Sequence, residues 1–95
     1  MKLIKTERFV TDIAKVHDAK LVALVVARLS RVAEGVFGDS KSVGDGVSEL
    51  RIHYGSGYRI YYTVRNREIV FLLCAGPKSD QKKDIKTAKE LAKEV

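Results

Sequence analysis

Five side chains with useful chemistry lie within or just before the stretch RIHYGSGYRIYY, residues 51–62. Apolar residues alternate with them on both sides of a glycine turn, a period of two that is typical of half-buried strands. We therefore expect a hairpin that gathers all five on one sheet face: Glu49, Arg51, His53, Arg59 and Tyr61. Guanidiniums bind phosphate in bidentate fashion, and a carboxylate or imidazole accepts protons. The pattern predicts phosphate binding with acid–base catalysis.

The length of the turn determines which of these residues face each other. A three-residue loop, Gly55-Ser56-Gly57, places His53 opposite Arg59 and Arg51 opposite Tyr61, with Cβ atoms about 5 Å apart. The apolar residues then share the opposite face, as the pairing register requires.

The next predicted strand, IVFLLCA, is apolar on both faces, which is typical of a central strand covered on both sides. A two-residue turn at residues 66–67 places Cys74 opposite Arg59. Lys78 then emerges at the mouth of the polar face, where it can add positive charge or assist a leaving group. Cys74 is interpreted as a small core residue.

Several of these residues also have an ordinary structural interpretation. Glu49 can form an ion pair with Arg51 or a lysine, and His53 can be a partly buried structural imidazole. Tyr61 can pack in the core rather than stack on a base or donate a proton. A further group forms a basic face on the last helix, which either contacts RNA or is simply exposed to solvent: Lys82, Lys83 and Lys86.

Composition restricts the class of protein. The chain has 95 residues, 45% hydrophobic and 32% charged, as expected of one globular domain over residues 1–95. A formal charge of +6 favours a polyanionic partner, either nucleic acid, an acidic protein or anionic lipid. A single cysteine excludes an internal disulfide and a cysteine-based zinc site, and no metal or cofactor motif is present. No apolar stretch of membrane-spanning or signal-peptide type occurs, so the expected compartment is the cytoplasm.

The surrounding elements predict an α+β fold. A short strand at MKLIKT precedes a first helix capped by Thr6 and a second helix from Asp18 to about Ala33, ended by Gly35. The segment at residues 35–46 is predicted to be loop because it is rich in Gly, Ser and Asp. Three strands and a last helix capped by Ser79 follow. We expect the helical hairpin to pack on one face of a mainly antiparallel sheet.

Three segments together resemble the RelE/ParE superfamily of type II toxin–antitoxin toxins, and most closely its HigB-like addiction module killer branch. They are GVFGDSKSVGDG, GVSELRIHYGSGYRIYY and FLLCAGPKSDQKKDIKTAKELAKE. The resemblance implies a RelE-like fold and a toxin that cleaves mRNA on the translating ribosome. It also implies a neutralising antitoxin, in this branch usually a helix-turn-helix DNA-binding protein.

By this resemblance the family's strand arginine falls on Arg59, its partners on the preceding strand on Glu49 and Arg51, and its later basic residue on Lys78. RelE proper has a lysine where Glu49 stands and a tyrosine in its C-terminal segment. The final helix here contains neither tyrosine nor histidine, so the general base stays open between Glu49 and His53. Two other functions also stay open: a ParE-like inhibitor of DNA gyrase, and a degenerate, non-catalytic binding module.

Overall fold

Five strands form one sheet in the order β1-β5-β4-β3-β2. They are β1 Lys2–Lys5, β2 Ser40–Gly44, β3 Val47–Ile52, β4 Tyr58–Arg65 and β5 Ile69–Pro77, and the helices are α1 Glu7–Ala14, α2 Ala19–Ala33 and α3 Gln81–Ala92. The computed structural model describes all of residues 1–95. Only β1 pairs in parallel, with β5, so the expected α+β architecture with a mainly antiparallel sheet is confirmed.

The helical hairpin α1–α2 packs on one face of the sheet. Thr6 caps α1 by accepting from the Phe9 amide, and Asp18 caps α2 by accepting from the amides of Lys20 and Leu21. Gly35 follows α2 with φ +87°, in the left-handed conformation that suits glycine after a helix. The predicted helix stripes form the core with the sheet: Phe9, Ile13, Val16, Leu21, Leu24, Val25, Leu29 and Val32.

Helix α3 covers the opposite face and encloses a second, smaller core. The prediction that Ser79 caps this helix is wrong. A 3₁₀ turn over Lys78–Asp80 intervenes, and α3 begins at Gln81, preceded by Asp80, which makes no side-chain capping bond. None of the three helices is both long and apolar enough to cross a membrane.

Strand β2 lies within the segment predicted to be loop. Residues 40–44 pair antiparallel with β3 and form an edge of the sheet. The connecting residues Asp45 and Gly46 have φ of +55° and +76°, the positive values that a tight hairpin turn of the Asp-Gly type requires. The Ser- and Gly-rich composition suggested a loop, but the Asp-Gly dipeptide is a hairpin signal.

The register between β3 and β4 differs from the predicted one by two residues. Ile52 pairs with Tyr58, and Arg51 pairs with Arg59, because the connection comprises residues 53–57 rather than 55–57. Tyr54 leaves the sheet, and its hydroxyl donates to Asp18 at 2.9 Å. A shift of two residues preserves which side chains share a face, since successive residues alternate between faces.

The register between β4 and β5 also differs from the prediction. The turn contains three residues, 66–68, and a β-bulge lies opposite Tyr61 and Tyr62. As a result Cys74 pairs with Tyr61, and Arg59 pairs with Gly76. Cys74 is fully buried, which agrees with its interpretation as a core residue, and burial raises the pKa of its thiol to about 12.

Thr6 connects α1 to β5, and removal of its hydroxyl is expected to destabilise the protein. Its hydroxyl donates to the Leu73 carbonyl at 2.7 Å in addition to capping α1. We expect Thr6→Ala to lower the free energy of unfolding by about 1–2 kcal/mol, measured by urea denaturation. Thr11→Ala, at an exposed position of the same helix, serves as the control and is expected to change stability by less than about 0.5 kcal/mol. Equal effects of the two substitutions would contradict the capping role.

Candidate functional site

Arg51 on β3 and Arg59 on β4 are directly paired across the two strands. Side chains of such a pair project from the same sheet face, with Cβ atoms about 5 Å apart. The face is the one that α3 covers elsewhere, but these two arginines lie beyond the region that the helix seals, with side chains 32% and 12% exposed. Because the strands bring two guanidiniums together at the border of the covered face, they form the centre of a candidate anion-binding site.

The arginines line an open cleft of about 260 Å³ beside the β3–β4 connection. Lys78 stands at its mouth, where its amide donates to the Gly57 carbonyl at 3.2 Å. The cleft is lined mostly by polar and glycine residues: Arg51, Ile52, His53, Gly55, Ser56, Gly57, Tyr58, Arg59 and Lys78. Four candidate catalytic residues therefore meet in one cleft: Arg51, His53, Arg59 and Lys78. The fifth candidate, Glu49, does not line it.

Glu49 is nearly sealed beneath the start of α3. Its carboxylate accepts from Gln81 Nε2 at 3.0 Å and 3.3 Å, and Oε2 lies 3.5 Å from Arg59 Nε. Its side chain is only 3% exposed. The carboxylate is thus an internal counter-ion, but its partner is Arg59 rather than the predicted Arg51 or a lysine.

The Arg59 guanidinium is poorly satisfied within the protein. Its Nε is buried without a hydrogen-bond partner, and the ion-pair distance of 3.5 Å to Glu49 is longer than that of a charge-assisted hydrogen bond. Buried charged groups are normally hydrogen-bonded, because removing them from water is costly. An incompletely paired cation beside a cleft is favourable for binding an anion.

His53 lies in the connection between β3 and β4 rather than opposite Arg59 as predicted. Its side chain is 75% exposed at the rim of the cleft, and its Nε2 contacts the carboxylate of Asp39. The interpretation of His53 as a partly buried structural imidazole is therefore wrong. The imidazole still lines the cleft, where it could contact a bound ligand.

Tyr61 is fully buried beneath α3, where it pairs with Glu49 across the strands and belongs to the smaller core. Burial, with the Glu49 carboxylate nearby, raises the pKa of its phenol. The predicted stacking of Tyr61 on an RNA base does not fit this position. Packing, the alternative role, does.

The Tyr61 hydroxyl has no hydrogen-bond partner within the protein, and this leads to a prediction. We expect Tyr61→Phe to raise the free energy of unfolding by about 1 kcal/mol, since an unsatisfied buried hydroxyl costs about 1–3 kcal/mol. The matched control is Tyr62→Phe, which loses a hydrogen bond to Ser40 Oγ and should destabilise the protein. Denaturant titration measures both. A loss of stability in Tyr61→Phe would show that the hydroxyl has a partner.

The predicted RNA-binding lysines of α3 are exposed to solvent: Lys82, Lys83 and Lys86. Of the three only Lys83 borders a cleft, a second one between α1 and α3 that also contains Arg8 and Lys15. No group of three or more His, Cys, Asp or Glu side chains is arranged to hold a metal ion.

Sequence reasoning missed three residues that support the site. Asp39 contacts both Arg51 and His53, Gln81 covers Glu49, and Arg28 of α2 donates to the Arg51 carbonyl at 2.6 Å. All three are distant in sequence from the hairpin. Only the position of Asp39 could have been predicted from the sequence. The Asp45-Gly46 dipeptide is typical of a hairpin turn, and such a turn pairs β2 with β3 and places Asp39 beside Arg51.

The arrangement can hold a phosphate and assist proton transfer. Arg51 and Arg59 present adjacent guanidiniums, and Lys78 adds a third positive charge. His53 supplies a group that both donates and accepts protons. The structure is therefore an α+β protein with a basic cleft at one end of its sheet.

Solved structures of known proteins share this fold. The fold is that of E. coli RelE: a RelE variant in the free state superimposes with a TM-score of 0.71 at 18% identity, covering 94% of this chain and 95% of that one. A chain of the intact E. coli RelBE toxin–antitoxin complex gives 0.67 at 23% identity, covering 80% and 94%. The predicted RelE-like fold is confirmed.

Residues 9–94 match the family described as Phage derived protein Gp49-like (DUF891), and the chain belongs to that family. An uncharacterized protein of Haemophilus influenzae strain Rd is 48% identical over 90 residues, which cover 95% of this chain and 91% of that protein.

Proposed function

We propose that this protein is the toxin of a type II toxin–antitoxin system, within the HigB-like branch, and that it cleaves mRNA. The observation that carries the proposal is the cross-strand pair Arg51–Arg59, which lines one cleft with Lys78 and His53. The formal charge of +6 and the RelE-like fold support the same assignment.

The proposed reaction is attack of an RNA 2′-hydroxyl on the adjacent 3′-phosphate. The 2′-oxygen forms a bond to phosphorus while the bond to the 5′-oxygen breaks, leaving a 2′,3′-cyclic phosphate and a free 5′-hydroxyl. One proton must leave the 2′-hydroxyl and one must reach the 5′-oxygen. Arg51 and Arg59 bind the non-bridging oxygens, on which negative charge increases in the transition state. Lys78 stands at the cleft mouth and stabilises the leaving oxygen.

His53 is the better candidate for the general base. The Glu49 side chain is only 3% exposed, and its carboxylate accepts from Gln81 and pairs with Arg59. It is therefore poorly placed to contact a substrate hydroxyl. The His53 imidazole is exposed in the cleft, and an imidazole accepts protons near neutral pH. The exposed lysines of α3, Lys82, Lys83 and Lys86, would contribute contacts to ribosomal or messenger RNA phosphates.

We propose that the substrate is mRNA held on the translating ribosome. The cleft carries few groups for catalysis, so alignment of the substrate for in-line attack has to come from elsewhere. Orientation of that kind can lower a barrier by about 7–11 kcal/mol. The RelE-like chain of the solved toxin–antitoxin complex also supports a cognate antitoxin as the partner that neutralises this protein. We expect that antitoxin to be a helix-turn-helix DNA-binding protein.

Induced expression with and without the neighbouring gene, followed by mapping of transcript 5′ ends, tests the proposal. We expect growth arrest without the partner and new 5′ ends in phase with codons inside translated frames. Growth arrest with intact transcripts and inhibited DNA supercoiling would instead favour a gyrase inhibitor. Normal growth in the absence of the partner, with folded protein present, would favour a non-catalytic binding module.

A further inference from the structure

A single carboxylate joins two of the residues that line the cleft. Asp39 Oδ1 accepts from Arg51 Nη2 at 2.8 Å and from Arg51 Nε at 3.2 Å, while Oδ2 contacts His53 Nε2. Asp39 immediately precedes β2, which pairs with β3, the strand that carries Arg51.

The contact with Arg51 determines how that guanidinium is oriented. Both hydrogen bonds use the edge formed by Nε and Nη2, and Nη1 makes no hydrogen bond within the protein. A guanidinium has five donors in a rigid plane, so occupying one edge leaves the other for a phosphate oxygen. Asp39 therefore fixes the plane of Arg51 without consuming its capacity to bind an anion.

The contact with His53 selects one form of the imidazole. A carboxylate can only accept a hydrogen bond, so in the neutral ring the proton must be on Nε2. The lone pair is then on Nδ1, which makes no hydrogen bond within the protein and is the nitrogen available to take a substrate proton. In histidines that act as bases, the group bonded to one nitrogen commonly sets the tautomer in this way.

Asp39 is itself held in place through its backbone. Its carbonyl accepts from the Arg51 amide at 2.9 Å and from Arg28 Nη2 at 3.2 Å. Arg28 also donates to the carbonyls of Phe37 and Arg51, at 3.1 Å and 2.6 Å. The segment that carries Asp39 is thus tied to α2 and to β3, although it is an irregular connection between α2 and β2.

We propose that Asp39 is a positioning residue that presents the free edge of Arg51 and the Nδ1 atom of His53 to the RNA. This inference rests on the proposed ribonuclease function. It adds a residue that does not touch the substrate, and it specifies which histidine nitrogen is the base.

The test compares Asp39→Asn and Asp39→Ala with Asp45→Asn. Asp45 is an exposed acid in the β2–β3 turn that forms an ion pair with Lys89. Single-turnover cleavage of mRNA on translating ribosomes gives a rate at saturation and a half-saturating concentration. We expect both Asp39 variants to lose about 100-fold in rate, because small displacements of reacting groups have effects of that size. Asp39→Asn keeps an oxygen for Arg51, so its half-saturating concentration should rise by less than about 3-fold, whereas Asp39→Ala should weaken binding more.

A second readout does not depend on activity. Long-range ¹H–¹⁵N spectra of the imidazoles, recorded in a His17→Gln background, report the tautomer of His53 directly. We expect only the Nε2–H form in the parent and in Asp45→Asn. In Asp39→Ala, where no carboxylate holds Nε2–H, we expect a mixture of the two tautomers in which the Nδ1–H form becomes detectable.

The outcomes separate the two proposals. If the parent cleaves RNA and both folded Asp39 variants match it, or if the parent holds the Nδ1–H tautomer, the positioning role is wrong. If the parent shows the Nε2–H form but cleaves no RNA, the proposed function fails while the geometry of the dyad holds. Melting curves identify a variant that has not folded. In that case Asp39→Asn, which preserves side-chain volume and the acceptor for Arg51, decides the question.

Discussion

Cleavage of mRNA by an Arg59→Lys variant is expected to fall by about 100- to 1000-fold while the protein keeps its fold. Loss of one preorganised donor to a developing oxyanion has effects of this size. Lysine keeps a positive charge beside the buried Glu49 carboxylate, but it lacks the planar fork that binds two phosphate oxygens at once. Arg59→Ala should abolish growth arrest altogether.

The matched control is Arg67→Lys, since Arg67 is an exposed arginine in the turn between β4 and β5. It should cleave RNA at the parent rate. Circular dichroism and thermal melting confirm folding of each variant before rates are compared. Growth arrest on expression of folded Arg59→Ala protein would remove Arg59 from the catalytic machinery and with it the proposed function.

The second large effect is expected at Glu49, and it concerns stability. Glu49→Ala leaves the Arg59 guanidinium, only 12% exposed, without its counter-ion. Removing one partner of a buried ion pair costs about 3–5 kcal/mol because the remaining charge is uncompensated. We expect a loss of that size in the free energy of unfolding, measured by denaturant titration.

The double variant Glu49→Ala, Arg59→Ala should recover part of that loss, because neither charge then remains buried. The difference from additivity measures the coupling between the two residues. Glu68→Ala, at an exposed site in the β4–β5 turn, should change stability by less than about 0.5 kcal/mol. A stability loss below about 1 kcal/mol, together with abolished cleavage, would assign Glu49 a catalytic role instead of a structural one.

Much of the fold was predictable because its signals are local. The caps Thr6 and Asp18, the terminating Gly35 and the helix stripes are recognised within a few residues of one another. The register of strand pairing was harder to predict from the sequence, because it depends on the length of the connection between two strands. The conformations of Gly55 and Gly57 and the hydrogen bond of Tyr54 to a distant aspartate decide that length here.

The candidate site was predictable to the extent that alternation assigns faces. A register error of two residues left Arg51 and Arg59 on the same face of the sheet. Their proximity was therefore predicted correctly, although the predicted cross-strand partners, Tyr61 for Arg51 and His53 for Arg59, were wrong. The same error placed His53 within a strand instead of in the connection. The burial of Tyr61 depends on how far α3 extends over the sheet, and the role of Asp39 depends on an edge strand that its composition concealed. Neither can be derived from the hairpin sequence.

The pairing of β1 with β5 has a consequence for biosynthesis. The first strand finds its hydrogen-bonding neighbours at residues 69–72, and Thr6 is fastened to Leu72 and Leu73. Contacts that span most of the chain form late, because the intervening polypeptide must first be made and its ends brought together. During synthesis, β1 therefore stays unpaired until the residues of β5 have been made. The basic cleft, which needs β3, β4 and Lys78, forms only after most of the polypeptide has left the ribosome that made it.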